Sequence, residues 1–162
     1  VQLGVHTIYE ATDIALNISG DRFVDLTYQQ INNTHRISGK SLVTAAGGFE
    51  ANLDWLEEAW GPAARNFLVR GTPYNKGNIL RQLLDAEFKQ VGDPDQCHAV
   101  AIDGRAPTYD GGIVSRVDSV PLGIVVNNAG KRFFDEGEDF WPKRYAIWGR
   151  LIAAQTLSLI HI

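Results

Sequence analysis

Residues 127–150 read NNAGKRFFDEGEDFWPKRYAIWGR. The stretch opens on the small and polar residues of a turn, passes an aromatic pair, and then carries Asp135, Glu136, Glu138 and Asp139. Trp141, Lys143, Arg144, Trp148 and Arg150 follow. LGIVVN (122–127) and RFFDE (132–136) have the residue types of two strands, with Gly130 where a hairpin asks for a positive φ. Pro142 suits the first turn of a helix, so a helix is expected from about 143 to 154. Acids ahead of a helix of mixed aromatic and basic character suit a solvated face. They equally suit a site that handles anions and protons.

Upstream, the apolar spacing changes period. GVHTIYEATDIALNI is β-rich, Ser19-Gly20-Asp21 reads as a turn, and RFVDLTYQ reads as a second strand. Residues 30–40 are polar, and SLVTAA (41–46) reads as a short buried strand ending at Gly47-Gly48. EANLDWLEEAW (50–60) places Leu53, Leu56 and Trp60 at helical spacing, with Asn52 or Asp54 as cap and Gly61-Pro62 as stop. NILRQLLDAEF (78–88) is a second amphipathic helix, with Ile79, Leu80, Leu83 and Leu84 on one side. Residues 89–112 are loop-rich. The fold class expected is α+β: an antiparallel meander feeding a core strand, then helices and a hairpin.

Composition narrows the function. With 44% hydrophobic and 21% charged residues the chain is globular, and a net charge of −4 argues against a general nucleic-acid binder. Cys97 is the single cysteine, which excludes an internal disulfide and suits a reducing, cytoplasmic setting. No signal peptide and no bilayer-length apolar run is visible, so no membrane span is expected. Asn32-Asn33-Thr34 fits a glycosylation sequon that has no secretory signal to go with it. The absence of methionine and the uncapped TLSLIHI end point to an internal fragment with an aberrant tail.

Four short motifs each have a plain structural reading beside a functional one. ISGKS (37–41) is not a P-loop, because Thr34 stands where the first glycine belongs and a strand rather than a helix follows. VTAAGGF (43–49) is either a tight turn or a backbone surface that a cofactor can approach closely. TPYNKGNIL (72–80) opens a helix whose first amides either face an anion or are simply capped. His98 in DQCHAVAID is a structural histidine or a ligand contact, and no partner spacing with Cys97 makes a metal site.

Taken together, TAAGGFEAN, NKGNIL, QCHAVA, GIVVNNAGKRFFDE and a downstream arginine resemble the flavoproteins of the fumarate reductase/succinate dehydrogenase superfamily. GDPDQCHAVAIDGRAPTYDGGIV and DEGEDFWPKRYAIWGR narrow the resemblance to the FAD-dependent tricarballylate dehydrogenases, over about residues 1–155. This resemblance implies FAD as cofactor, with residues 1–92 part of an FAD-binding domain and 93–162 the start of a capping domain. It places Ala45, Ala46, Gly47 and Gly48 against the flavin, with Asn75 and Gly77 also touching the cofactor. Asn75 stands at a family Gly-Asp-Gly turn that has lost its Asp here. His98 matches a substrate-binding histidine. Arg116 falls where the fumarate reductases carry a relay Glu, and so becomes a candidate for an extra substrate carboxylate.

The catalytic arginine implied is Arg144, with Arg150 the second candidate and Arg132 structural. Glu136, Glu138 and Asp139 are the implied proton relay, because a guanidinium stays protonated near neutrality and needs carboxylates to pass a proton on. The implied reaction is dehydrogenation of a small polycarboxylate, tricarballylate to cis-aconitate. An electron-acceptor protein would reoxidise the flavin. Related flavin enzymes acting on succinate, fumarate or a ketosteroid are the alternative, as is a non-catalytic folded module.

Overall fold

The computed structural model describes residues 4–69, 71–109, 116–138 and 141–155, with the side chains of 141–145 outside the description. The chain divides into two compact units: Val1–Gly48 with Gly77–Val91, and Phe49–Lys76 with Gly92–Ile162. The first unit begins as an antiparallel sheet in the order β1-β2-β3, formed by Thr12–Ser19, Arg22–Gln30 and Asn33–Ser38. Gly20 takes φ +62 in the two-residue β1–β2 loop. Ile31 and Asn32 both take positive φ in the β2–β3 loop, as a type I′ turn requires. Register slips between Thr12 and Ala15, where Asp13 has φ 49, and again between Asn17 and Ile18. These irregularities bend the strand without ending it.

β3 lies in the stretch read above as merely polar. All six of its residues are exposed, so it lacks the apolar alternation that marks a strand in sequence. The opposite correction applies to SLVTAA. Residues 41–48 form no strand, and Val43 is 89% exposed. β-branched residues made that segment look buried, but its backbone pairs with no described strand.

α1 (Leu53–Trp60) is capped by Asn52, whose Oδ1 accepts from the Trp55 amide at 3.2 Å. It buries Trp55 and Leu56, stacks Trp55 on Phe49 at 4.2 Å between ring centroids, and stops at Gly61, φ 78. α2 (Asn78–Asp85) ends three residues short of the apolar pattern. Glu87 takes φ 60, and the Glu87 and Phe88 amides donate to Leu84 and Leu83 carbonyls. This is a Schellman closure made without glycine.

In the second unit α3 (Trp141–Ala153) carries the core. Trp148, 1% exposed, packs with Ala101, Val120, Val125 and Ile152, flanked by Val117, Phe133 and Phe134. Hairpin pairing at 122–136 is reduced to one bridge, Val126 to Arg132. Side chains replace the ladder. Asn127 Oδ1 accepts from the Ala129 and Lys131 amides, both at 3.0 Å, and Gly130 takes φ +71. The Val125 amide, where the ladder would continue, donates instead to Glu136 Oε1 at 2.6 Å.

Candidate functional site

Within the first unit, Ala45, Ala46 and Gly47 lie exposed on the segment leading to Gly48, with Gly47 at φ +72. The run exposes backbone beside methyl groups or hydrogens only. A flat ring or a phosphate can reach such backbone, whereas larger side chains would keep it away. Gly77, φ +77, begins α2 with no side-chain cap on the helix's first amides. Unsatisfied N–H groups at a helix start favour an anion. Asn75 belongs to the second unit, where its Nδ2 donates to Glu50 Oε1 at 2.8 Å and its carbonyl accepts from the Ala51 amide.

His98 and Arg116, the two expected substrate contacts, lie on neighbouring segments of the second unit. His98 is exposed and immediately precedes the buried Ala99. Ile102 pairs antiparallel with Arg116, and the Val117 amide donates to the Ala101 carbonyl at 2.9 Å. The segment that starts at His98 therefore runs alongside the one that carries Arg116. Arg116 has its side chain 17% exposed, and its Nε donates to Asp118 Oδ1 at 2.5 Å. Its charge thus has a carboxylate neighbour in place.

Glu136 is 4% exposed, and both its oxygens are engaged, Oε1 by Val125 and Oε2 by Arg132 Nε at 2.8 Å. Burial works to raise its pKa, but the Arg132 hydrogen bond and the backbone amides outweigh that and hold it below the ordinary glutamate value. Arg132 also reaches Asp135 at 3.1 Å, as its hairpin position implies. Glu138 is exposed. Asp139 lies outside the described residues. So does the Arg144 side chain, although its backbone forms the first turn of α3.

Arg150 sits in the last turn of α3. Its guanidinium lies over the Trp60 ring, 4.7 Å from the centroid, and Nη1 donates to Gln96 Oε1 at 3.4 Å. Desolvation pushes the nearby Cys97 thiol up, and the Arg150 charge works against it.

No family model matches the chain, and no curated protein matches it. One solved structure has a similar fold. It is the 3-ketosteroid-delta4-(5alpha)-dehydrogenase from Rhodococcus jostii RHA1, solved in complex with 4-androstene-3,17-dione, with a TM-score of 0.58 at 18% sequence identity. The likeness covers 89% of this chain and 26% of that one, so the chain spans about a quarter of the enzyme it resembles. It shows the α+β fold shared with that enzyme.

Sequence reasoning missed the cluster around Arg150. Trp60 Nε1 donates to the Pro94 carbonyl at 3.1 Å and Trp60 meets Phe67 edge-on, so the ring under Arg150 is itself fixed. Trp60 looked like a helix-face residue, and 90 positions separate it from Arg150 in sequence (150 − 60). No local spacing rule spans that gap. Among described residues no group of three or more metal-ligating side chains occurs. The open hollow lined by Glu10, Thr12, Asp13, Gln29, Ile31 and Asn32 contains none of the candidate site residues.

Proposed function

We propose that the chain is part of a flavin-dependent oxidoreductase that removes two hydrogens from neighbouring carbons of a polycarboxylate, tricarballylate giving cis-aconitate. The observation that carries the reaction class is the likeness, over most of this chain, to a dehydrogenase. The donor set fits FAD. Exposed Ala45, Ala46 and Gly47 offer backbone to a ring, and the uncapped amides after Gly77 offer N–H groups to a phosphate. Bound there, FAD would accept the hydride.

The chain's own groups supply the rest. His98 donates a hydrogen bond to one substrate carboxylate, and Arg116 holds another, sharing its charge with Asp118. Cationic groups next to the carbon losing its proton stabilise the charge that develops on the adjoining carboxylate. Arg144 serves the proton, with Glu138 and Asp139 passing it on. Glu136 is assigned to holding the hairpin instead, since its two oxygens already serve Val125 and Arg132. An electron-acceptor protein would reoxidise the flavin.

A ketosteroid as substrate is the second reading. The ligand named with the similar enzyme favours it, and so does the Asp118 counter-ion beside Arg116, which lowers the site's need for a further carboxylate. Flavin absorbance of the purified full-length protein, followed by dye reduction with tricarballylate, succinate, fumarate or a ketosteroid, separates the readings. Tricarballylate turnover is expected. Arg116→Met should raise KM for it about tenfold or more, the loss of a charged hydrogen bond. Colourless protein would overturn the flavin reading, and turnover on a steroid alone would overturn the polycarboxylate.

A further inference from the structure

Three separate contacts converge on residues 94–100. Trp60 of α1 donates from Nε1 to the Pro94 carbonyl at 3.1 Å. Arg150 of α3 bonds Gln96 and lies over the same Trp60 ring. One residue earlier, Gly149 lets the α3 backbone come so close that an added Cβ would stand 2.5 Å from the Ala99 carbonyl carbon and 2.6 Å from the Val100 nitrogen. His98 lies between Gln96 and Ala99, so its backbone is gripped on both sides. The residue is itself exposed, and the segment forms no helix or strand of its own to hold it.

The charge of Arg150 has a specific setting. Arg36, Arg65, Arg105, Arg116 and Arg132 each pair with a carboxylate. Arg150 has instead an amide oxygen and an aromatic face among the described residues. A guanidinium is suited to this use: its flat face stacks on a ring while its edge still donates in plane. Such a residue fastens two elements together without neutralising itself.

We infer that Arg150, clamped between Trp60 and Gln96, is the positioning residue that sets where His98 points. It acts through the loop and touches no substrate. The inference rests on the reading of His98 as a substrate contact, and the test separates the two. Hydrogen exchange of residues 93–99 is measured in the full-length protein as wild type, Arg150→Met, Arg150→Lys and Trp60→Phe.

Arg150→Met should speed exchange in this segment about fivefold while the 123–136 hairpin keeps its rates. Arg150→Lys, whose ammonium also sits over a ring, should recover part of the protection. Trp60→Phe keeps the ring face but loses the Pro94 bond, and should loosen the Pro94 end more than the Gln96 end. With tricarballylate, Arg150→Met should raise KM with kcat little changed, and His98→Asn should add little in the Arg150→Met background.

Unchanged exchange at 93–99 overturns the inference, as does exchange that rises equally across the hairpin. Additive effects of the two substitutions on KM overturn it as well. If the loop loosens while His98→Asn leaves turnover untouched, the fastening stands and the substrate reading of His98 falls.

Discussion

The strands around Asp25 cover little apolar surface, whereas the loops around Trp148 cover an apolar cluster with scarcely a strand among them. In the first unit the described side chains that are buried are Tyr28 and Asp25. Its regularity comes from backbone ladders and polar ties. Asp25, on the central strand, accepts from Asn17 of β1 at 3.1 Å and from Arg36 of β3, which links all three strands through one carboxylate. The second unit has isolated bridges at Val69–Tyr109, Ile102–Arg116 and Val126–Arg132, and coheres by packing against Trp148. Regular secondary structure and burial are thus separable here. His98 and Arg116, the two expected substrate contacts, lie on paired segments of the packed second unit.

The largest test of that contrast is Trp148→Ala. Truncating a buried tryptophan should cost about 3–5 kcal/mol and abolish cooperative unfolding of the second unit, read by denaturant titration with tyrosine and tryptophan fluorescence. Among the described residues Trp148 Nε1 has no hydrogen-bond partner. Trp148→Phe should therefore cost far less, since it removes volume but no bond. Equal costs for the two substitutions would mean that the indole nitrogen, and not packing, holds the unit.

Among the described residues Glu136 is the buried charged side chain of the packed unit, and it comes next in size. Glu136→Ala leaves the Val125 amide and one arm of Arg132 without an acceptor, on the order of 1–3 kcal/mol. The acid response follows from its lowered pKa. A carboxylate depressed in the folded state contributes fully above its unfolded value, about pH 4.3, and loses that contribution as pH falls through the folded value. Glu136→Gln should flatten the loss of second-unit stability below about pH 4. An acid limb unchanged by this substitution would show that other carboxylates dominate it.

What the sequence made legible followed the same division. α1, α2, α3 and the first two strands were readable because each carries its own period, cap or stop within a dozen residues, as with Asn52, Gly20 and Gly61. β3 was not, because an edge strand exposed along its whole length has no alternation to read. SLVTAA misled for the converse reason: β-branched and small residues signal a buried strand, yet burial depends on a neighbour that local sequence does not name. At the site, His98 and the acids of the hairpin stood out as residue types, while Arg116 was singled out by the family resemblance alone. That His98 and Arg116 lie on paired segments, that Asp118 shadows Arg116, and that Glu136 is occupied by a backbone amide are tertiary facts. The grip of Arg150 on the His98 loop is another of the same kind.

The smallest effect probes the weakly buried side of the comparison. β1 has β2 on one edge, and at its other edge α2 presents Gln82. The Gln82 Oε1 accepts from the Leu16 amide at 2.7 Å, and Nε2 donates to the Ile14 carbonyl at 2.9 Å. A side-chain amide has the donor and acceptor of a peptide group, so Gln82 occupies the edge as a single residue of strand would. Gln82→Leu keeps helix propensity and adds apolar contact to α2, but returns both strand groups to solvent. The expected cost is about 1 kcal/mol, seen as faster exchange of the Leu16 amide and as concentration-dependent association through the opened edge. Gln82→Glu should show half the effect, since a carboxylate still accepts from Leu16 but cannot donate to Ile14. If Gln82→Leu instead leaves Leu16 protected, then Leu80, Leu83 and Leu84 hold β1 by apolar contact. The first unit would then cohere as the second does, and the contrast between them would be one of degree.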